Sequence, residues 1–206
     1  MDPTTIKKTP LYQICQQNGA RFTDFAGWWL PLQFSGMLQE VAAVRNQAGL
    51  FDVSHMGELY VTGTDASRFL NQMLTSNVVK GHEGQVIYAI LCQPDGGSVD
   101  DLLVYRLADQ AYLLVVNAIN TQKVLAFLSQ QASGFSVEIT DRSSDFALLA
   151  LQGPAAAAII SPLFPEVVNL KPFRFGLFPW EGEQVLLSRT GYTGEDGFAI
   201  YITPIL

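Results

Sequence analysis

Between Gln85 and Ala118 the chain runs through three apolar segments separated by two turn signals, Pro94-Asp95-Gly96-Gly97 and a polar break near Asp109. That pattern is an antiparallel meander, with strands over Val86 to Cys92, Ser98 to Leu107 and Ala111 to Asn117. If the first turn centres between Asp95 and Gly96, Tyr88 falls opposite Leu103, and if the second centres near Asp109, Asp101 falls opposite Asn117. Opposed residues share a face and the face repeats every second residue, so Tyr88, Asp101, Leu103 and Asn117 are predicted on one side of the sheet. A slip of one residue would scatter them. The middle strand opens on adjacent acids, Asp100 and Asp101. Acids are depleted in strands and costly to bury. The plain reading is a polar strand start leaning into water, and parity sends the two carboxylates to opposite faces.

The flanking sequence supplies helices. Thr64-Asp65 opens one that runs to about Met73, and Asn120 caps another through Val124, Leu125 and Leu128. Strand, helix, strands and helix in that order predict an α+β sandwich with antiparallel strands and helices on one face, leaving the other face free for a ligand. Upstream, Thr9-Pro10 reads as the start of a short helix with Leu11, Ile14 and Cys15 as its buried stripe and Gly19 as its stop. Arg21 to Phe25 reads as a strand, and Ala26 to Leu32 as an aromatic loop whose indoles serve core packing or, as the less favoured use, line a pocket. Ser35 caps a helix in which Leu38, Val41, Ala42 and Arg45 keep helical spacing up to Gly49. Leu50 to Thr62 gives two short strands meeting near His55, which lacks a Cys, Asp or second His at ligand spacing and is read as a structural hydrogen bonder. Beyond the meander come strands at Phe135 to Thr140 and Phe146 to Leu151, a helix after Gln152-Gly153-Pro154, strands at Phe173 to Phe178 and Gln184 to Arg189, and a last strand Phe198 to Ile202. Gly191, Gly194 and Gly197 imitate a phosphate loop but lack its Lys-Ser/Thr and lead into a strand, so the segment is read as a tight hairpin loop with Tyr192 at its tip.

Composition excludes several function classes. A net charge of −7 with only 15% charged residues provides no basic stripe for nucleic acid. The start, Met1 to Lys8, has no apolar core of a signal peptide, and no stretch approaches the roughly 18 apolar residues of a spanning helix, so a cytosolic chain without membrane contact is expected. Two cysteines and two histidines, well separated, are too few for a disulfide framework or a zinc cluster, and no metal is expected. The end at Pro204-Ile205-Leu206 breaks off on apolar residues, and the sequence is read as cut short of a C-terminal part.

Gly49 to Glu58, Gly96-Gly97 with Asp100 to Tyr105, Val115 to Ala118, Leu151 to Pro154 and Ser188 to Gly197 together closely resemble the aminomethyltransferase, or T-protein, family of the glycine cleavage system, in order and along the whole chain. The resemblance implies residues 1–56 as the start of a first α+β domain, 57–134 as a ferredoxin-like subdomain bearing the meander, and 135–206 as the continuation of a folate-binding region. It implies an enzyme that moves an aminomethyl carbon from the lipoyl arm of H-protein to tetrahydrofolate and releases ammonia. By the same match Asp101 is the catalytic carboxylate beside the attacking folate nitrogen. Ionised at neutral pH, it can hydrogen-bond that amine and stabilise the cationic iminium that forms. Met56, Tyr88, Asn117 and Tyr192 are implied to line the folate pocket, and Asp100 to be structural.

The chain departs from the family at Ala199, where a Glu usually follows Gly-Phe or Gly-Tyr and pairs with the pterin. Without it, folate loses charge-assisted hydrogen bonds worth roughly 1.5 to 3 kcal/mol each, unless Glu195 or a water substitutes. An Arg that contacts folate in the family also lies beyond this sequence. Two alternatives follow: another folate-dependent one-carbon transferase or demethylase on the same scaffold, or a non-catalytic folate-binding relative. The second lacks support from any Lys-Gly-Cys signature in the chain.

Overall fold

The computed structural model describes residues 6–203 of the chain, and the expectations placed on Met1 to Thr5 and on Pro204 to Leu206 lie outside the described residues. The backbone forms β1 (Lys7–Lys8), α1 (Tyr12–Gln17), β2 (Arg21–Phe25), β3 (Trp28–Gln33), α2 (Met37–Asn46), β4 (Gly49–Asp52), β5 (Gly57–Thr62), α3 (Ala66–Met73), β6 (Val86–Cys92), β7 (Ser98–Ala108), β8 (Ala111–Val116), α4 (Thr121–Gln131), β9 (Glu138–Asp141), β10 (Ala147–Gln152), α5 (Ala156–Ile160), β11 (Phe175–Trp180), β12 (Glu183–Ser188) and β13 (Gly197–Ile202). Contacts divide the chain into two compact units, one comprising Met56–Asp145 with Phe173–Phe175 and the other Met1–His55, Phe146–Pro172 and Gly176–Leu206. Among the described residues no helix is long and apolar enough to cross a membrane.

The central unit, Met56–Asp145, holds an antiparallel sheet in the order β6-β7-β8-β5-β9. Its core lies on one face, where Leu59, Val61, Leu102, Val104, Leu114 and Val116 meet Phe69 and Leu70 of α3 and Val124 and Leu128 of α4. These strand residues alternate with others on the opposite face, as the period of two requires. The α+β arrangement with helices to one side follows the predicted pattern.

In the other unit β11-β12-β13-β10-β4 form a second sheet and β1-β3-β2 a small third one. Leu151, Leu187, Phe198 and Ile200 pack with Ile160 of α5 and with Phe164, Val167 and Phe178. Thus β4 and β5, predicted as neighbours, belong to different sheets.

The aromatic loop is corrected to strand β3, paired with β2 from Phe25↔Trp28 to Arg21↔Gln33. Ala26 and Gly27 make the connecting turn with φ of 55° and 80°, a primed geometry that suits the twist of a hairpin. Pro31 disguises the strand, but it can stand there because β1 pairs only with Trp28 and Trp29 and requires no N–H farther along. The buried stripe expected on α1 is also corrected: Cys15 is buried, whereas Ile14 faces outward. Helix α2 forms where the spacing predicts it, burying Val44 and leaving Leu38 and Val41 exposed. Gly36, not Ser35, precedes α2, and Glu40 Oε1 receives the N–H groups of Phe34 and Gly36 at 2.7 and 2.9 Å.

Candidate functional site

The meander takes the register predicted from its turns. Tyr88 pairs with Leu103, Leu103 with Val115, and Leu102 with Val116, which carries Asp101 beside Asn117 just past the end of β8. Gly57 pairs with Val116, so Met56 and Asn117 occupy the next positions outward on their strands. Tyr88, Asp101, Leu103 and Val115 alternate away from the residues that meet α3 and α4, and so share the sheet face without helices.

Asp101 is half-buried and receives two donors. The Tyr88 hydroxyl donates to Oδ2 at 3.2 Å, and the Asn117 side-chain amide donates to Oδ1 at 3.2 Å and to the Asp101 carbonyl at 3.1 Å. Desolvation first, then the charge and the hydrogen bond of Asp101, hold the Tyr88 phenol above its ordinary value, so it remains a donor. The Tyr88 residue is 48% exposed, beside the carboxylate.

Asp100 has the opposite environment. It is buried, and it accepts from the Asn117 backbone N–H at 3.1 Å, the Asn117 amide at 2.9 Å and the Asn120 amide at 2.7 Å. Asn120 precedes α4 as expected but makes no side-chain cap bond there, because its amide serves Asp100. Asn117 is therefore a bridge: one side-chain amide binds both carboxylates and positions the outward one against the inward one.

Tyr192 lies in the other unit. Its loop joins β12 to β13 and is closed by Arg189 bonded to Asp196, with Nε to Oδ1 at 2.8 Å. Gln152 braces it from β10, donating to the Thr190 carbonyl at 3.1 Å and accepting from the Thr193 hydroxyl at 3.1 Å. Gly191 permits this approach, since a Cβ there would stand 1.8 Å from Gln152 Oε1. The Tyr192 ring reaches the edge of a hollow of about 350 Å³ walled by residues of α2 with Leu32, Phe51 and Thr193.

Sequence reasoning missed Glu58. On β5 it pairs with Val115, which places it on the face that bears Asp101, yet it is fully buried and neither carboxyl oxygen has a partner. Burial, reinforced by the charge of Asp141, pushes its pKa up to about 9, so it is a neutral acid at pH 7. A lone Glu inside an alternating strand gives no spacing signal. The environment of His55 also differs from the expected hydrogen bonder: Nδ1 is buried without a partner, Phe25 packs edge-on at 5.8 Å, and burial lowers its pKa against the opposing influence of Asp52. Among the described residues no group of three or more His, Cys, Asp and Glu could hold a metal ion.

The helix-free face of this sheet carries a tyrosine beside a carboxylate that accepts hydrogen bonds from two side chains. Comparison gives the class: residues 11–205 match the model of the GCVT N-terminal domain, and the chain belongs to that family. It is 48% identical over 198 residues to an aminomethyltransferase of Bacillus subtilis and 47% identical over 202 residues to one of Desulfitobacterium hafniense, alignments that take in 95% and 98% of this chain. The chain spans about half the length of these relatives, 54% and 55%. Among solved structures, glycine cleavage system aminomethyltransferase T from Bartonella henselae superposes with a TM-score of 0.89 at 37% identity, over 96% of this chain and 54% of that one. The heterotetrameric sarcosine oxidase of Corynebacterium sp. U-96 shares the fold, with a TM-score of 0.58 at 18% identity, over 95% of this chain and 86% of that one.

Proposed function

We propose that this chain forms the folate-binding part of a cytoplasmic aminomethyltransferase of the glycine cleavage system, which passes a one-carbon unit from the aminomethyl-lipoyl arm of H-protein to tetrahydrofolate and releases ammonia. The observation that carries the reading is the Asp101 carboxylate, held by Tyr88 and Asn117 on the helix-free sheet face of a family member. Tetrahydrofolate supplies the nucleophilic nitrogen. Asp101 accepts a hydrogen bond from that amine, orients its lone pair and stabilises positive charge developing next to it. Tyr88 and Asn117 keep the carboxylate from rotating, and the exposed Tyr88 ring and Met56 give apolar surface to the flat ligand. Tyr192 is proposed as a further folate contact on the strength of its motif.

The residues fit such a ligand. A two-donor carboxylate retains acceptor capacity for a third N–H, because an ionised carboxylate offers about four lone-pair positions. The test grafts this chain in place of the matched stretch of the Bacillus subtilis aminomethyltransferase. The graft is expected to form methylenetetrahydrofolate from aminomethylated H-protein, and Asp101→Asn to abolish that while leaving circular dichroism unchanged. Undiminished turnover in the Asp101→Asn graft overturns the assignment.

Ala199 favours a second reading, a folate-dependent demethylase using another one-carbon donor. It sits between Ala150 and Ser188 in the row that begins at Phe51, where small side chains replace the acid usual in the family. Assaying the graft with and without lipoylated H-protein separates the two donors.

A further inference from the structure

Asn120 precedes α4 without making the side-chain cap bond its position offers, and the turn before it shows where its amide goes instead. Ala118–Asn120 is a single 3₁₀ turn between β8 and α4, closed by the Asn120 N–H donating to the Asn117 carbonyl at 2.9 Å. Side chains three residues apart eclipse on such a turn, so Asn117 and Asn120 present their amides to the same side, where Asp100 of β7 meets both. Asp100 Oδ1 accepts from Asn120 at 2.7 Å and from Asn117 at 2.9 Å. Asn120 makes the shorter bond.

Donors and acceptors in this cluster do not balance. A primary amide nitrogen carries two hydrogens. Asn117 Nδ2 has three acceptors in reach: Asp100 Oδ1 at 2.9 Å, the Asp101 carbonyl at 3.1 Å and Asp101 Oδ1 at 3.2 Å. One hydrogen goes to Asp100, and the second is divided between the carbonyl and the carboxylate of Asp101. The longest of the three contacts is therefore the one that holds the outward carboxylate, and it lasts only while Asp100 does not draw the amide closer. Two donors on one oxygen share its negative charge, so the Asn120 bond lessens the pull of Asp100 on the Asn117 amide and leaves the second hydrogen within reach of Asp101. With that bond gone, Asp101 would depend on the Tyr88 hydroxyl, at 3.2 Å, to fix its carboxylate.

We propose that Asn120 is a positioning residue for the aminomethyl transfer. By occupying Asp100 Oδ1 it sets how the Asn117 amide is divided between the two aspartates, and so fixes the rotation of the Asp101 carboxylate toward the attacking nitrogen. The proposal rests on the reading of Asp101 given above. An Asn120 with a purely structural role would satisfy Asp100 and steady the start of α4, with no influence on how Asp101 is held.

The experiment follows the two Asn117 side-chain amide protons by nitrogen-edited NMR in the 206-residue chain and in its Asn120→Ala variant. The proton on Asp100 is expected to move downfield and the proton shared by Asp101 upfield, whereas a general loosening would move both upfield. Protons that move together, or that stay in place, overturn the proposal. Turnover is read in the aminomethyltransferase graft described above. There Asn120→Ala should lower kcat on the order of tenfold with KM held within about twofold. Gln122→Ala, which removes a bond from the same helix to Asp141, should leave kcat unchanged. In a Tyr88→Phe background, where Asp101 has lost its other side-chain donor, Asn120→Ala should lower kcat by a larger factor than in the parent. An equal factor in both backgrounds, a matching loss in Gln122→Ala, or unchanged kcat in a graft that Asp101→Asn inactivates overturns the positioning role. A graft that Asp101→Asn leaves active overturns the reading of Asp101 itself, whatever the amide protons do.

Discussion

Helices α2 and α3 both carry apolar residues at helical spacing, but the stripe of α3 is sharply one-sided and that of α2 is diffuse, and they meet opposite fates. In the central unit α3 buries Ala66, Ser67, Phe69 and Leu70 against a sheet that also receives α4. In the other unit α2 buries Val44 alone and leaves Met37, Leu38 and Val41 in water. Periodicity thus specifies that a face will be apolar but not which part of a polypeptide covers it. The central unit covers its own apolar pattern, whereas α2 leaves most of its apolar side chains exposed.

Mutations can sharpen this contrast. Phe69→Ala should remove about 3 to 5 kcal/mol of stability, the usual cost of emptying a fully buried aromatic site, read from the urea midpoint of the central unit. Asp100→Ala should cost about 2 to 4 kcal/mol, because the Asn117 N–H, the Asn117 amide and the Asn120 amide all lose an acceptor. Asp101→Asn, with its half-buried carboxylate, should leave the same midpoint nearly unchanged.

Glu58→Gln should act mainly through pH dependence, its effect on stability growing as pH rises. The folded-state pKa is raised from 4.5 to about 9, so the folded chain holds a proton that the unfolded chain releases across that interval. Stability is therefore greatest below about 4.5 and declines as pH rises towards about 9, with a slope on the order of 1 kcal/mol per pH unit from this group. Urea midpoints from pH 5 to 9 should flatten in Glu58→Gln, and an unchanged slope would show that the carboxyl finds a partner in solution. The smallest effect belongs to Leu38→Ala, expected within about 0.5 kcal/mol of the parent because the side chain is exposed in this chain. A large loss there would mean that α2 packs within its own unit.

Much of the central unit was legible because its information is local. A Pro-Asp-Gly-Gly turn and a short polar break set two registers, and alternation then placed Tyr88, Asp101 and Asn117 together. Where the sequence misled, the deciding interaction was non-local. Strand β3 hides behind Pro31, which is tolerated because β1 is so short. Asn120 has the composition of a cap, but its amide serves a carboxylate twenty residues away. Glu58 has no signature of its own, since its neutrality arises from the protein packed around it.

The two contacts of Asp101 are inherited from different hairpins. Its link to Tyr88 depends on the length of the Gln93–Gly97 turn, and its link to Asn117 on the length of the turn at Asp109 and Gln110. An inserted residue in the first would remove the phenol yet leave the amide bridge between the aspartates intact. An insertion in the second would exchange the two carboxylates relative to Asn117, bringing Asp100 to the position that Asp101 now holds. Loop length here acts as a reading frame for the carboxylate and its two donors.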